Sequence, residues 1–396
     1  MLFRWWHGGE RLFNKDGLLS RYKLDFRLIR DIDKALLFSA IGLMLFGILN
    51  IYLCTKGGVF EDPFLFAKKQ LVWFFVSMVA LYLFVTIDYS VIYRYVPILY
   101  WGSVVLLIAV WIPGVGKTVN GARGWINIGM TLQPAELAKF AIILMLAKLL
   151  DEMDCDINNI KNLSKIALYC LIPVGLIVIQ PDMGMTMVCF FIVLGMLFIA
   201  GLDKRIIIGG FTILFVSVIV LWNSGLILPH QKARIVAFMN PETDDSGNGY
   251  QLNQALVGIG SGGLIGNKPS LNPEVSPGYA GTHVPEVQTD FIFSAIAEQW
   301  GFAGALFLLF LYGVLITKMI NIARKAKDRF GSLICIGMVS YFLFAITQNI
   351  GMTIGLIPIT GITLPLVSYG GSSLLTTTMA VALVLNIGMR KKKIHF

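Results

Sequence analysis

Apolar positions along the chain gather into ten nearly unbroken stretches, at about 35–54, 70–87, 96–112, 134–150, 166–180, 182–201, 205–223, 289–317, 331–357 and 366–389. Each approaches the roughly 20 residues that an α-helix needs to cross a hydrocarbon core. Alternation with a period of two fails in all of them, so the pattern predicts helices and excludes a membrane β-barrel. The expected fold is an all-α polytopic membrane protein with ten transmembrane helices. Residues 1–34 form a tail before the helical domain of 35–389, and 390–396 form a short tail after it. The segment 224–288, between spans seven and eight, departs from the pattern: it is long and rich in Gly, Pro and Asn, while the other connections are short. Such a loop more often carries function than mere spacing.

Composition narrows the class. Of the 396 residues 56% are hydrophobic and 14% charged, with a mean hydropathy of +0.75. That excludes an ordinary soluble enzyme, a disordered chain and a disulfide scaffold. The net charge of +9 raises the question of nucleic acid. With the N-terminus inside, 23 of the 32 Lys and Arg fall on its side, eight fall on the other, and Lys139 lies within a span. This asymmetry places both termini in the cytoplasm and accounts for the charge without nucleic acid. It also makes 224–288 an extracytoplasmic loop. The basic start carries no cleavage site and reads as a cytoplasmic tail, not a signal peptide. Cys54, Cys155, Cys170, Cys189 and Cys335 are scattered, and the four histidines have no metal spacing.

A few polar residues stand out against this background. Glu136 and Lys139 share one helix face near the outer end of span four. They are either an intramembrane functional pair or a helix-start carboxylate with its neutralising lysine. Asp182, after Pro181, suits a turn or a helix cap. Arg123 has the forked donor geometry that fits phosphate oxygens, and Trp125 two residues on fits an interfacial aromatic belt. Lys232 and Arg234 in the large loop are either further phosphate ligands or solvated charges. Asp290 stands where that loop meets an apolar helix; partial desolvation there would suit a general base, while an N-cap is the competing reading. Gly258-Ile259-Gly260-Ser261-Gly262-Gly263 matches G-x-G-x-x-G without the strand a dinucleotide site requires. Ser368-Tyr369-Gly370-Gly371-Ser372-Ser373 lacks the lysine of a P-loop and points instead to close packing or an irregular helix end lining a cavity.

These motifs together resemble the SEDS family (shape, elongation, division and sporulation), ten-helix peptidoglycan polymerases represented by RodA and FtsW. The likeness runs from the first span onward. It is carried by Ala122-Arg123-Gly124-Trp125, Gln133-Pro134-Ala135-Glu136-Leu137-Ala138-Lys139, Gln180-Pro181-Asp182-Met183-Gly184, Asn240-Pro241-Glu242, Gly249-Tyr250-Gln251, Thr289-Asp290-Phe291-Ile292-Phe293 and Leu364-Pro365-Leu366-Val367-Ser368-Tyr369-Gly370-Gly371-Ser372-Ser373. Ile259–Gly263 and Asn349–Met352 look more like the elongation type, RodA, than the division type, FtsW. One departure is Gln288, where the family commonly has His.

The resemblance implies a glycosyltransferase that polymerises lipid II at the outer face of the cytoplasmic membrane. Asp290 would be the general base and undecaprenyl diphosphate the leaving group. Substrate contacts would come from Arg123, Trp125, Glu136, Lys139, Lys232, Arg234 and Ser368. Of these, Arg123, Lys139, Lys232 and Arg234, or a divalent cation, would stabilise the departing diphosphate. No resident cofactor or metal ligand is identified. The implied partners are lipid II, membrane lipids and a class B penicillin-binding protein acting as transpeptidase. A lipid II flippase or transporter is the alternative; it predicts coupling carboxylates near the bilayer midplane, whereas here the ionisable residues gather at the outer rim. A non-catalytic scaffold would be indifferent to Asp290.

Overall fold

The computed structural model describes residues 30–57, 62–119, 122–128, 130–212, 238–239, 247–267 and 269–390. Its long helices are α1 (Lys34–Thr55), α2 (Leu65–Thr86), α3 (Tyr89–Ala109), α4 (Pro134–Glu152), α5 (Ile160–Ile179) and α6 (Met183–Ala200). After these come α7 (Asn248–Gly262), the short α8 (Tyr279–His283), α9 (Ile292–Lys325), α10 (Arg329–Thr353) and α11 (Gly371–Met389). Among the described residues, eight helices are long and apolar enough to cross a membrane. The fourth expected span, α4, is a further long helix and differs in carrying five charged side chains. The seventh expected span is helical over 204–212, and the rest of it lies outside the described residues.

Short polar side chains set where several helices begin. Asp33, Asp88, Asn159, Asp182 and Asp328 each accept a backbone amide of the first turn, filling one of the donors a helix start leaves open. These caps put the start of the third expected span at Tyr89, not 96, and that of the ninth at Arg329. The last span begins at Gly371 because the backbone of 354–370, which contains Pro358 and Pro365, is irregular.

Helices α4, α10 and α11 occupy the middle of the bundle, where α4 buries almost every residue from Pro134 to Leu150. Around them, α2 packs on α11, α3 on α4, and α9 on both α10 and α1. Helices α2 and α5 keep few buried residues and leave apolar side chains outward, as a lipid-facing helix does. The end at which α1 finishes and α2, α4, α6, α9 and α11 begin is the upper end here.

Two features there were not expected from the hydrophobic pattern. Between α3 and α4 lies an antiparallel sheet in the order β1 (Gly116–Val119), β2 (Ala122–Ile128), β3 (Met130–Leu132). The other is a break in α9 at Gly301, which adopts φ 63°, ψ −163°. Breaking a helix frees backbone groups, and 263–267 takes them up. Phe302 N–H donates to Gly263 O at 2.9 Å, Ala303 N–H to Leu264 O at 3.1 Å, and Asn267 N–H to Glu298 O at 3.1 Å. A Cβ on residue 301 would stand 2.7 Å from the backbone nitrogen of Ile265, so only glycine fits. The described part of 224–288 is accordingly not all irregular: it contains α7 and α8, and Gly258–Gly263 falls at the end of α7.

Candidate active site

Asp290 is half-buried and sits in a tight turn just before α9. The amides of Thr289 and Asp290 both donate to Glu286 O, at 3.1 and 3.2 Å, and Thr289 Oγ1 donates to the same oxygen at 3.0 Å. Glu286 is held at φ +54°, a left-handed conformation that costs a side-chain-bearing residue on the order of 1–3 kcal/mol. The N-cap position of α9 belongs to Phe291, not to Thr289 or Asp290.

The turn is fixed from the far end of the chain. Asn349 Nδ2 donates to Asp290 O at 2.8 Å and to Ile362 O at 2.7 Å. Ser368 Oγ donates to Thr289 O at 2.5 Å and accepts Leu364 N–H at 2.8 Å. Tyr369 N–H donates to Gln288 O at 2.8 Å. Gln70 of α2 braces the same stretch, donating to Ser368 O at 3.1 Å and accepting Gly370 N–H at 3.2 Å. Gly361, at φ +73°, lies against the carboxylate: a Cβ there would be 3.4 Å from Asp290 Oδ2. Ser368, expected to touch substrate, is therefore buried, with its hydroxyl joining two backbone segments.

Three other expected motifs meet next to this turn. Gln133 Nε2 donates to Asp182 Oδ2 at 3.0 Å, while Asp182 Oδ1 caps α6 through Met185 N–H at 2.9 Å. Ser372 Oγ accepts Gln133 N–H and donates to Thr131 O, both at 3.2 Å, tying α11 to β3. Glu136 and Lys139 form an ion pair at 2.6 Å with side chains only 5% and 4% exposed. Thr376 Oγ1 donates to Glu136 Oε2 at 2.7 Å, and Lys139 Nζ stands 3.8 Å from the ring centre of Tyr341. The pair is thus enclosed by α4, α10 and α11.

Arg123 and Trp125 lie on β2, half-buried at the upper end. Arg123 Nη2 donates to Trp111 O at 3.4 Å and its guanidinium lies 5.7 Å from the Trp111 ring centre, a loose hold that leaves a cation at the upper end of the bundle. Trp125 is paired with Lys117 across the sheet. Lys232 and Arg234 lie outside the described residues. Among the described residues no three of His, Cys, Asp and Glu converge.

Further positioning residues were not singled out in the sequence. Buried Glu298 of α9 accepts Tyr279 N–H at 2.5 Å and Ala280 N–H at 2.7 Å, capping α8. Buried Lys56, just past α1, donates to Ser270 O at 2.5 Å and Asn272 O at 3.1 Å. A lone charge within the otherwise uncharged run 291–317 is the available signal at Glu298; nothing local predicts what Lys56 reaches. Between α8 and the Asp290 turn lies a pocket of about 450 Å3 whose wall runs through 281–289 and is closed by Phe66 of α2 and Tyr369. At the neighbouring start of α2, Phe64 N–H and then Lys68 hold the Asp62 carboxyl below its usual range.

Comparison with known proteins matches this arrangement to one class. Residues 32–393 match the family described as cell cycle protein FTSW_RODA_SPOVE. The stage V sporulation protein E of Bacillus subtilis is 36% identical, over 90% of this chain and 96% of its own length. The probable peptidoglycan glycosyltransferase FtsW of Trichlorobacter lovleyi is 33% identical, over 93% and 96%. Among solved structures, a chain of a peptidoglycan synthase complex that coordinates polymerization and crosslinking has a TM-score of 0.76 at 29% identity, covering 90% of this chain and 97% of that one. The rod shape determining protein RodA of Thermus thermophilus has a TM-score of 0.67 at 28% identity, covering 91% and 98%. The fold and site define an integral membrane glycosyltransferase of peptidoglycan synthesis. The chain belongs to the SEDS family, that of FtsW, RodA and SpoVE.

Proposed function

We propose that this protein polymerises lipid II into glycan strands at the outer face of the cytoplasmic membrane, with both termini in the cytoplasm and Asp290 as general base. The observation that carries the reading is the turn of Asp290: a half-buried carboxylate braced through its own and its neighbours' backbone by Asn349, Ser368 and Tyr369, so its position does not depend on substrate. Asp290 takes the proton from a sugar hydroxyl of the acceptor lipid II. The freed oxygen bonds to the anomeric carbon of the donor strand, the bond from that carbon to the diphosphate breaks, and undecaprenyl diphosphate departs with the bonding electrons. Arg123 at the rim, with Lys232 and Arg234 of the large loop, meets the charge that develops on the diphosphate. Trp125 sits at the level where headgroups meet acyl chains. Glu136 and Lys139 orient the elements around the substrate from within, and the outward apolar helices meet the polyprenyl tails.

The elongation setting is proposed from Ile259–Gly263 and Asn349–Met352. A division or sporulation setting is the second reading, favoured by the names of the two relatives. Depletion in a rod-shaped host separates them: rounding supports elongation, filamentation supports division, and loss restricted to spores supports sporulation. Because one similar structure is a complex for polymerization and crosslinking, we also propose a class B penicillin-binding protein as partner, tested by co-purification from detergent.

The direct test is purified protein, alone and with that partner, incubated with labelled lipid II and read as glycan length on a gel. Asp290→Asn keeps the size and polarity of the side chain but accepts no proton. It is expected to insert and melt like the wild type and to make no glycan. A variant that still made long strands would remove Asp290 from the mechanism. A wild type with no polymerase activity in either form would overturn the function.

A further inference from the structure

Building on that reading, we propose that the pocket between α8 and the Asp290 turn is a saccharide subsite, holding an amino-sugar ring of the glycan beside the reacting one. The pocket, about 450 Å3, is within the range of roughly 300–1,000 Å3 usual for small-molecule sites. Its lining divides by chemistry. On one side, the half-buried rings of Phe66 and Tyr369 meet edge to face with centroids 5.0 Å apart. On the other are His283, Glu286, Gln288 and Thr289.

A pyranose ring is amphipathic in the same way: its axial C–H face packs on an aromatic ring while its equatorial hydroxyls and acetamido group need hydrogen bonds in the plane of the sugar. A diphosphate fits poorly, since the lining holds no Lys or Arg among the described residues and does hold a carboxylate. A polyprenyl tail would leave that carboxylate, an amide and an imidazole without water.

The polar wall is built, not draped. Glu286 is fixed in its left-handed conformation by the amides it accepts, and its Oε2 receives only long bonds, 3.3 Å each, from Gln288 Nε2 and Thr289 Oγ1. Bonds of that length yield readily to a better donor such as a sugar hydroxyl. The His283 ring stacks on Tyr279 at 4.3 Å with Nδ1 3.0 Å from Tyr279 O, so its neutral form carries the proton on Nδ1 and keeps Nε2 as an acceptor. Tyr369 is fixed by its amide bond to Gln288 O. Thr289, the last residue of this wall, directly precedes Asp290, so the pocket and the base share one turn.

The test uses the full-length protein in lipid nanodiscs and a GlcNAc–MurNAc tetrasaccharide carrying neither lipid nor phosphate. Titration calorimetry is expected to give saturable binding that inorganic pyrophosphate does not displace. Glu286→Gln, at an exposed position and of equal size, is expected to weaken binding at least tenfold without moving the melting temperature. Phe66→Leu is expected to weaken it comparably. In lipid II turnover, Glu286→Gln should raise KM more than it lowers kcat. Absence of saturable binding to a wild type that polymerises lipid II overturns the subsite and leaves the proposed function standing. Binding that survives both substitutions, or that pyrophosphate displaces, also overturns it. A wild type that fails to polymerise lipid II overturns the proposed function, whatever the tetrasaccharide does.

Discussion

Ser368 Oγ lies 2.5 Å from the carbonyl oxygen of Thr289 while accepting the amide of Leu364, so one buried hydroxyl joins the stretch before α11 to the turn that carries Asp290. Ser368→Ala deprives the Thr289 carbonyl and the buried Leu364 amide of this shared partner. Each such group costs about 1–3 kcal/mol. The variant is expected to melt several degrees lower in detergent and to lose most of its glycan synthesis, while still reaching the membrane. Unchanged turnover would mean that the turn is held well enough by its other braces.

Asn349 bridges Asp290 O and Ile362 O with one amide nitrogen. In Asn349→Asp the size is kept, but an ionised side chain has no proton to give either carbonyl and is repelled by both. Expected is a loss of about 2–4 kcal/mol in thermal or chemical unfolding, greater than that of Asn349→Leu, which adds no charge. Equal losses would indicate that packing, not the donated bonds, is what Asn349 supplies.

The Glu136–Lys139 pair lends itself to a double-mutant cycle. Each single change to a neutral residue, Glu136→Gln or Lys139→Met, leaves a lone charge among apolar helices, at a cost of around 3–5 kcal/mol where burial is complete. The double variant should be less unstable than the sum of the singles by at least ~2 kcal/mol. Additive effects would show that the two charges are not coupled.

Gly301 is expected to tolerate no side chain. Gly301→Ala meets both an unfavourable φ of +63° and the backbone of Ile265. The loss should exceed the ~1 kcal/mol of an ordinary glycine-to-alanine change at positive φ. Differential scanning fluorimetry would detect it, and an unchanged melting temperature would mean that α9 straightens without penalty.

Much of the fold is legible in the sequence because lipid is a uniform apolar solvent, which keeps spans such as Met183–Ala200 free of charged residues. Local rules also reach Asp182 as a cap and Glu136–Lys139 as a pair three residues apart, since both depend on spacing within one helix. The sheet of 116–132 left one overlooked signal: Asn120-Gly121 stands between β1 and β2, a two-residue pair typical of tight hairpins. The site itself was legible as motifs and not as geometry. Ser368 and Thr289 are 79 residues apart, Gln133 and Asp182 are 49 apart, and no periodicity specifies that they meet. For the same reason Ser368 read as a ligand when its hydroxyl is a strut. The break in α9 escaped notice because a single glycine in an apolar run is ordinary in membrane helices; what makes Gly301 different is the approach of 263–267, from outside the span.

That approach constrains how α9 can move. Because Phe302 and Ala303 hold their bonds to Gly263 and Leu264, and Glu298 holds Asn267, the helix is sewn across its break to the segment that follows α7. Sliding of α9 along its axis would break all three of these backbone bonds. The nine residues of α9 before the break, with Asp290 just ahead of them, are therefore anchored at both ends: by the segment after α7 at the break, and by Asn349 and Ser368 at the turn.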